Sequence, residues 1–246
     1  MSGGVLIGFA VGAGVIYVWI WQRFRYVSAH WKRRSAITKG ENALREAIAN
    51  ANHPTTYRVA GEADAALVAT LEAARGDERA LIAAGFAVLG DVVDESVSRW
   101  FVDATGRTCA ALKISGDGNT WITLHSATAD DVYTTVRVAH GAALARPPFV
   151  HREVLPLNAS LADMIRHHAA FAKLEDQDGQ IERVATIADV VAKLERTSSR
   201  MLAWRIAQPP DALLDADLRA LVGEAQAKFW ARRLREQLPR ASVRHS

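Results

Sequence analysis

Residues 98–140 read SRWFVDATGRTCAALKISGDGNTWITLHSATADDVYTTVRVAH, and they decide the fold. Apolar and polar residues alternate with period two through Ser98–Ala104, Arg107–Ser115, Asn119–Ala127 and Val132–His140. That is the periodicity of strands whose successive side chains point to opposite faces. Thr105-Gly106, Gly116-Asp117-Gly118 and Asp130-Asp131 supply the turns between them, and Val150–Leu155 offers a further short strand. Spacings this short leave no room for crossover helices, so an antiparallel meander of about four to six strands is expected. Alternation assigns Trp100, Val102, Leu112, Ile114, Ile122, Leu124, Val132, Val136 and Val138 to one face. Phe101, Cys109, Trp121, His125, Tyr133 and Arg137 fall on the other, a mixed face suited to partial cover by helices.

Downstream of Pro156 the period changes to that of helices. Ser160 with Asp163 three residues on matches an N-terminal capping pair for a helix over 160–174. A longer helix is expected from about Gln180 to Ala207, on the spacing of Val184, Ile187, Val191, Leu194, Ser198 and Met201. Pro209-Pro210 ends it, and a last helix should run from Asp211 to Leu238. Upstream, a helix is expected over Ala63–Ala74. Strands followed by helices make an α+β class.

The first residues are of another kind. Gly3 to Trp21, GGVLIGFAVGAGVIYVWIW, contains no charge. Its length is close to the ~20 residues that carry a helix across a ~30 Å hydrocarbon core. A cleaved signal peptide requires basic residues before a shorter apolar run, and only Met1 and Ser2 precede this one. A transmembrane anchor is therefore expected at about 3–21. Arg23, Arg25, Lys32, Arg33 and Arg34 follow it directly, which by the bias of basic residues toward the cytoplasm puts the N-terminus out and the remaining chain in. Gly4, Gly8 and Gly12 recur every four residues, the stripe of small residues by which two spanning helices approach closely, in self-association or against another membrane protein. The organisation expected is an anchor and basic juxtamembrane segment at 1–34, a helical stalk or linker at 35–54, an α+β domain at 55–158 and a helical region at 159–246.

Charge is unevenly placed. The whole chain carries a formal net charge of +3 with a pI near 9.2. Residues 23–34 contribute five basic side chains and no acid, while 228–246 contribute six against one. The remainder is thus net acidic. A nucleic-acid domain would carry its basicity on the fold itself, so no nucleic-acid partner is expected. The C-terminal cluster Lys228, Phe229, Trp230, Arg232, Arg233 and Arg235 suits the anionic inner leaflet, as do the juxtamembrane Arg23, Arg25, Lys32, Arg33 and Arg34. Arginine outnumbers lysine fourfold and alanine is abundant, pointing to a GC-rich, bacterial source and hence to the inner membrane.

Motifs that carry chemistry are sparse. His167, His168 and Asp163 share a helix, but His168 falls on its apolar stripe, and catalytic zinc generally needs three protein ligands, so no metal is expected. Ser126 lacks a nucleophile-elbow context, and its neighbour His125 points to the opposite face. Cys109, the single cysteine, excludes an intramolecular disulfide and reads as an unpaired structural thiol. Gly116-Asp117-Gly118 lacks the Lys-Ser/Thr and following helix of a phosphate-binding loop. No cofactor is expected. The leading expectation is a membrane-anchored cytoplasmic scaffold or interaction domain with an unidentified protein partner. The alternative is a membrane-tethered small-molecule or lipid-binding domain, and an enzyme without a recognisable motif comes third. A tightly filled sheet–helix junction would favour the scaffold; an apolar cavity with a few convergent polar groups would favour the binding domain.

Overall fold

The computed structural model describes residues 56–94, 96–114, 120–137, 145–174, 180–214 and 216–238, together with Thr38. Seven strands form one sheet in chain order: β1 (Arg58–Val59), β2 (Ala87–Val93), β3 (Val97–Val102), β4 (Cys109–Ile114), β5 (Thr120–Ala127), β6 (Val132–Val136) and β7 (Val150–Val154). Between β1 and β2 lie α1 (Ala65–Ala69) and α2 (Arg75–Ala83), joined through a tighter 3-10 segment. After the sheet come α3 (Leu161–Phe171), α4 (Ile187–Ala207), α5 (Ala216–Val222) and α6 (Glu224–Gln237). The fold is α+β.

The meander is antiparallel from β1 to β6, but β7 lies parallel to β6, which corrects the expectation of an all-antiparallel sheet. The connection over 137–149 is long enough to return the chain to the end from which β6 started, as a parallel neighbour requires. β1, at the first edge, was not anticipated: two residues are too few to show a period.

Helices cover both faces. On one, Phe101, Ala110, Leu112, Ile122 and Leu124 pack with Met164 of α3 and Leu81 of α2. On the other, Trp100, Cys109 and Ala111 pack with Val184 and with Val190 of α4. Register shows that the two-face assignment was right within each strand and wrong between strands. Trp100 pairs with Ala111 and Phe101 with Ala110, so Phe101 shares the face of Leu112, Ile122 and Leu124, while Trp100 and Val102 join Cys109 and His125. Val132 and Val136 likewise face α4, and Tyr133 faces α3. With both faces buried, each carries apolar residues, and hydrophobicity no longer distinguishes the phase of neighbouring strands.

The helix boundaries have local causes. Ser160 caps α3 as expected: its hydroxyl accepts from the Asp163 N–H at 3.1 Å, and Asp163 accepts in return from the Ser160 N–H. Thr186 and Asp189 form the same reciprocal box on α4, so α4 starts at Ile187 and not near Gln180. The preceding residues are held in extended form by the sheet, through Glu182 N–H to Ala127 O and Val184 N–H to Gly106 O, both at 2.8 Å. Gly106 sits at φ +75°, where a Cβ would meet the Val184 carbonyl at 3.1 Å, so this close approach requires glycine. The expected last helix is two helices, divided at Gly223 with φ +85°. The α2 region is longer than the Ala63–Ala74 expectation, because the chain continues helically through Gly76 to Ala83.

Among the described residues no helix is long and apolar enough to cross a membrane. The span expected at 3–21, its Gly4, Gly8 and Gly12, and the basic Arg23, Arg25, Lys32, Arg33 and Arg34 lie outside those residues. So do most of the expected stalk at 35–54 and the turn Gly116-Asp117-Gly118.

Leu124 is wholly buried in the α3-side core. Leu124→Ala is expected to cost about 2–5 kcal/mol of stability, measured by urea unfolding.

Candidate functional site

On the α3 face the buried residues form one continuous core, whereas on the α4 face the core is interrupted. Between the sheet and α4 lies a cavity of about 220 Å³. Its floor is formed by Trp100, Cys109, His125, Ala127, Val132, Thr134 and Val150, and its roof by Val190, Lys193, Leu194, Thr197, Ser198 and Met201 of α4, with Tyr57 and Val184 at the sides. A neighbouring cavity of about 190 Å³ shares Tyr57, Trp100, His125 and Leu194 with it and adds Ser98, Lys113, Trp121 and Thr123. The gap has a sequence cause. Small side chains, Thr134 on the sheet and Thr197 and Ser198 on the helix, stand opposite one another where packing of a covered sheet calls for large ones. For scale, a dry cavity of ~150 Å³ holds benzene.

A few polar groups enter this apolar space. His125 is flanked by its strand neighbours Cys109 and Thr134, and its ring lies 5.1 Å from that of Trp100. Among the described residues neither imidazole nitrogen has a hydrogen-bond partner. Burial, reinforced by His168 and then by the positive charges of Lys113, Lys193 and Arg152, pushes His125 down to about 3, so it is a neutral imidazole. Burial pushes the Cys109 thiol up to about 11. It is therefore a thiol and not the nucleophilic thiolate, consistent with its structural reading. Lys193 donates to the Glu182 carbonyl at 2.8 Å, which holds its stem along the roof, and burial lowers its pKa.

A second polar cluster lies on the other side of the sheet. His168, on α3, is 1% exposed. Its Nε2 is 3.0 Å from Ser126 Oγ and its Nδ1 2.9 Å from Thr135 Oγ1, while Ser126 donates to the Arg107 carbonyl at 2.9 Å. With the Ser126 proton given to the Arg107 carbonyl, Nε2 carries the proton and donates to Ser126, and Nδ1 accepts from Thr135, whose hydroxyl also lies 3.5 Å from Glu153 Oε2. An imidazole so arranged cannot take the Ser126 proton, and the cluster is a buried brace, not a serine–histidine pair. Burial holds His168 at about 4. The sequence placed His168 in the core and His167 outside it, and the structure agrees; His167 is about half exposed. What alternation could not reveal is that Ser126 and Thr135, on neighbouring strands, would both meet it. Asp131 pairs instead with His151 at 2.9 Å.

Among the described residues no group of three or more His, Cys, Asp or Glu side chains is arranged to hold a metal ion. The C-terminal basic cluster divides. Lys228, Phe229, Arg232 and Arg233 are exposed on α6, with the Arg233 guanidinium 5.7 Å from the centre of the Phe229 ring. Trp230 packs against the core of Leu213, Leu214, Ala231 and Leu234, and Arg235 donates to the Ile206 carbonyl at 2.6 Å. These last two join α6 to the end of α4. Compared with protein-family profiles, curated proteins and solved structures, the chain matches none.

His125 and His168 are both neutral in the fold and titrate near 6.5 when unfolded. Their pKa values are depressed, so the stability they carry is fully present above pH ~6.5 and is lost as pH falls toward 4. In that window unfolding takes up two additional protons, a slope of up to about 2.7 kcal/mol per pH unit. Urea unfolding at pH 7, 6 and 5 should show this fall, and His168→Gln should roughly halve it.

Proposed function

We propose that this chain is a membrane-tethered binding domain that holds a small, largely apolar molecule between its sheet and α4. The cavity beneath α4 carries this reading: a partly open apolar space, lined by an imidazole that has no hydrogen-bond partner among the described residues, has the form of a ligand site. A scaffold would call for a filled junction, and the α3 side supplies that while the α4 side does not. The enzyme reading gains little, since the thiol is protonated and the serine's histidine partner is a donor.

Tethering comes from the uncharged run at 3–21 and the basic residues after it, which argue for an N-out anchor and a cytoplasmic domain at a bacterial inner membrane. The exposed Lys228, Phe229, Arg232 and Arg233 add a basic, aromatic surface suited to an anionic leaflet. A domain held at the bilayer would exchange its ligand with the membrane phase, where apolar molecules concentrate.

Two measurements test this. In full-length protein in lipid nanodiscs, hexan-1-ol should quench or shift the emission of the tryptophans and raise the Tm, by about 2.7 kcal/mol of stability at a hundredfold excess over Kd. Ser198→Leu, which fills the gap, should stabilise the ligand-free protein by about 0.5–2 kcal/mol and abolish the response to the alcohol. A wild-type Tm that no alcohol moves would overturn the cavity reading. For topology, a C-terminal protease tag should stay protected in intact cells and be cut once the cells are opened; cleavage from outside would reverse the orientation.

A further inference from the structure

The polar wall of the cavity carries information about the head of its occupant. Cys109, His125, Thr134 and Arg152 stand directly opposite one another on β4, β5, β6 and β7, so they form one row across the sheet beneath α4; the first three line the cavity, and Arg152 is the next in the row, outside its lining. His125 and Arg152 are two strands apart, roughly 10 Å between their backbones, a gap that a guanidinium stem and a bound group can close. Among the described residues Arg152 has no ion pair and no side-chain hydrogen bond, although it is partly buried. The other two cations acting on His125 are matched already, Lys113 by Asp94 at 3.1 Å and Lys193 by Glu182. Among the described residues no aspartate or glutamate lines either cavity. The nearest to Cys109 are occupied elsewhere: Asp103 accepts from Thr105 and Arg107, and Asp189 caps α4.

We propose that the occupant is an apolar molecule ending in one carboxylate, received by the His125 N–H and by Arg152, with its body against Val190, Leu194 and Met201. The inference rests on reading the cavity as a ligand site. A neutral imidazole offers one donor and one acceptor, and a bound head group can meet either. The cations Lys113, Lys193 and Arg152, which add to burial in keeping His125 neutral, also stabilise an anion beside it. An ammonium head would meet Arg152 and find no acid on the lining, and a hydroxyl head would satisfy His125 but leave Arg152 unmatched. Charge and hydrogen bonding therefore select the acid. The cavity volume limits the body to a single ring or a short chain.

The test is calorimetric titration of the full-length protein in lipid nanodiscs, against empty nanodiscs, with hexanoate, hexan-1-ol and hexylamine. Hexanoate should bind about tenfold or more tightly than the alcohol, the factor a charge-assisted contact provides, and hexylamine more weakly than either. Arg152→Gln and His125→Leu should each remove most of the preference for hexanoate over hexan-1-ol, with a cooperative thermal unfolding transition reporting that each variant is folded. Equal binding of acid and alcohol, a preference for the amine, or hexanoate affinity untouched in both variants would overturn the carboxylate while the cavity reading stands. Failure of all three probes to bind would overturn both.

Discussion

Two backbone hydrogen bonds, Glu182 N–H to Ala127 O and Val184 N–H to Gly106 O, determine where α4 can begin. They tie an extended segment to the end of the sheet, and the Thr186–Asp189 cap then starts α4 at a fixed point above it. Everything on that face follows from the placement: which α4 residues look down on the sheet, how Lys193 is held by Glu182, and where the small residues leave a gap. Gly106 permits the contact because a side chain there would strike the Val184 carbonyl.

The two faces of the sheet treat their histidines differently. His168 is enclosed by Ser126 and Thr135 and has both nitrogens satisfied, so it costs nothing in unmet hydrogen bonds and braces α3 on the sheet. His125 is as neutral as His168 but has no hydrogen-bond partner among the described residues, and it faces the cavity where His168 faces packing. A fold that can complete one buried imidazole so fully has no evident structural reason to leave the other open, which is why the open one is read as a place for something else. The charge pattern agrees, with two of the surrounding lysines matched by acids and Arg152 unmatched.

Much of the fold was legible in residues 98–127. The turns at 105–106 and 130–131, the strands they separate and the capping pair at Ser160 all appear where the spacing put them. The phase between strands was not legible, because a sheet covered on both sides carries apolar residues on both, and Trp100 and Phe101 are equally good core residues. The parallel β7 was hidden for a similar reason: a short strand shows neither its partner nor its direction. The extended residues 180–186 read as helix because the bonds that hold them straight come from Gly106 and Ala127, far away in the chain.

By itself the sequence determined the class of the fold, the order of its elements, the uncharged run at its start and the concentration of basic residues at its two ends, since each of these is a local property of composition and period. Only the tertiary structure decided that Cys109, His125, Thr134 and Arg152 share a row, that small residues of α4 and β6 meet across it, and that Ser126 and Thr135 serve His168. Those facts depend on register and on where α4 lands, which long-range hydrogen bonds set and no periodicity records.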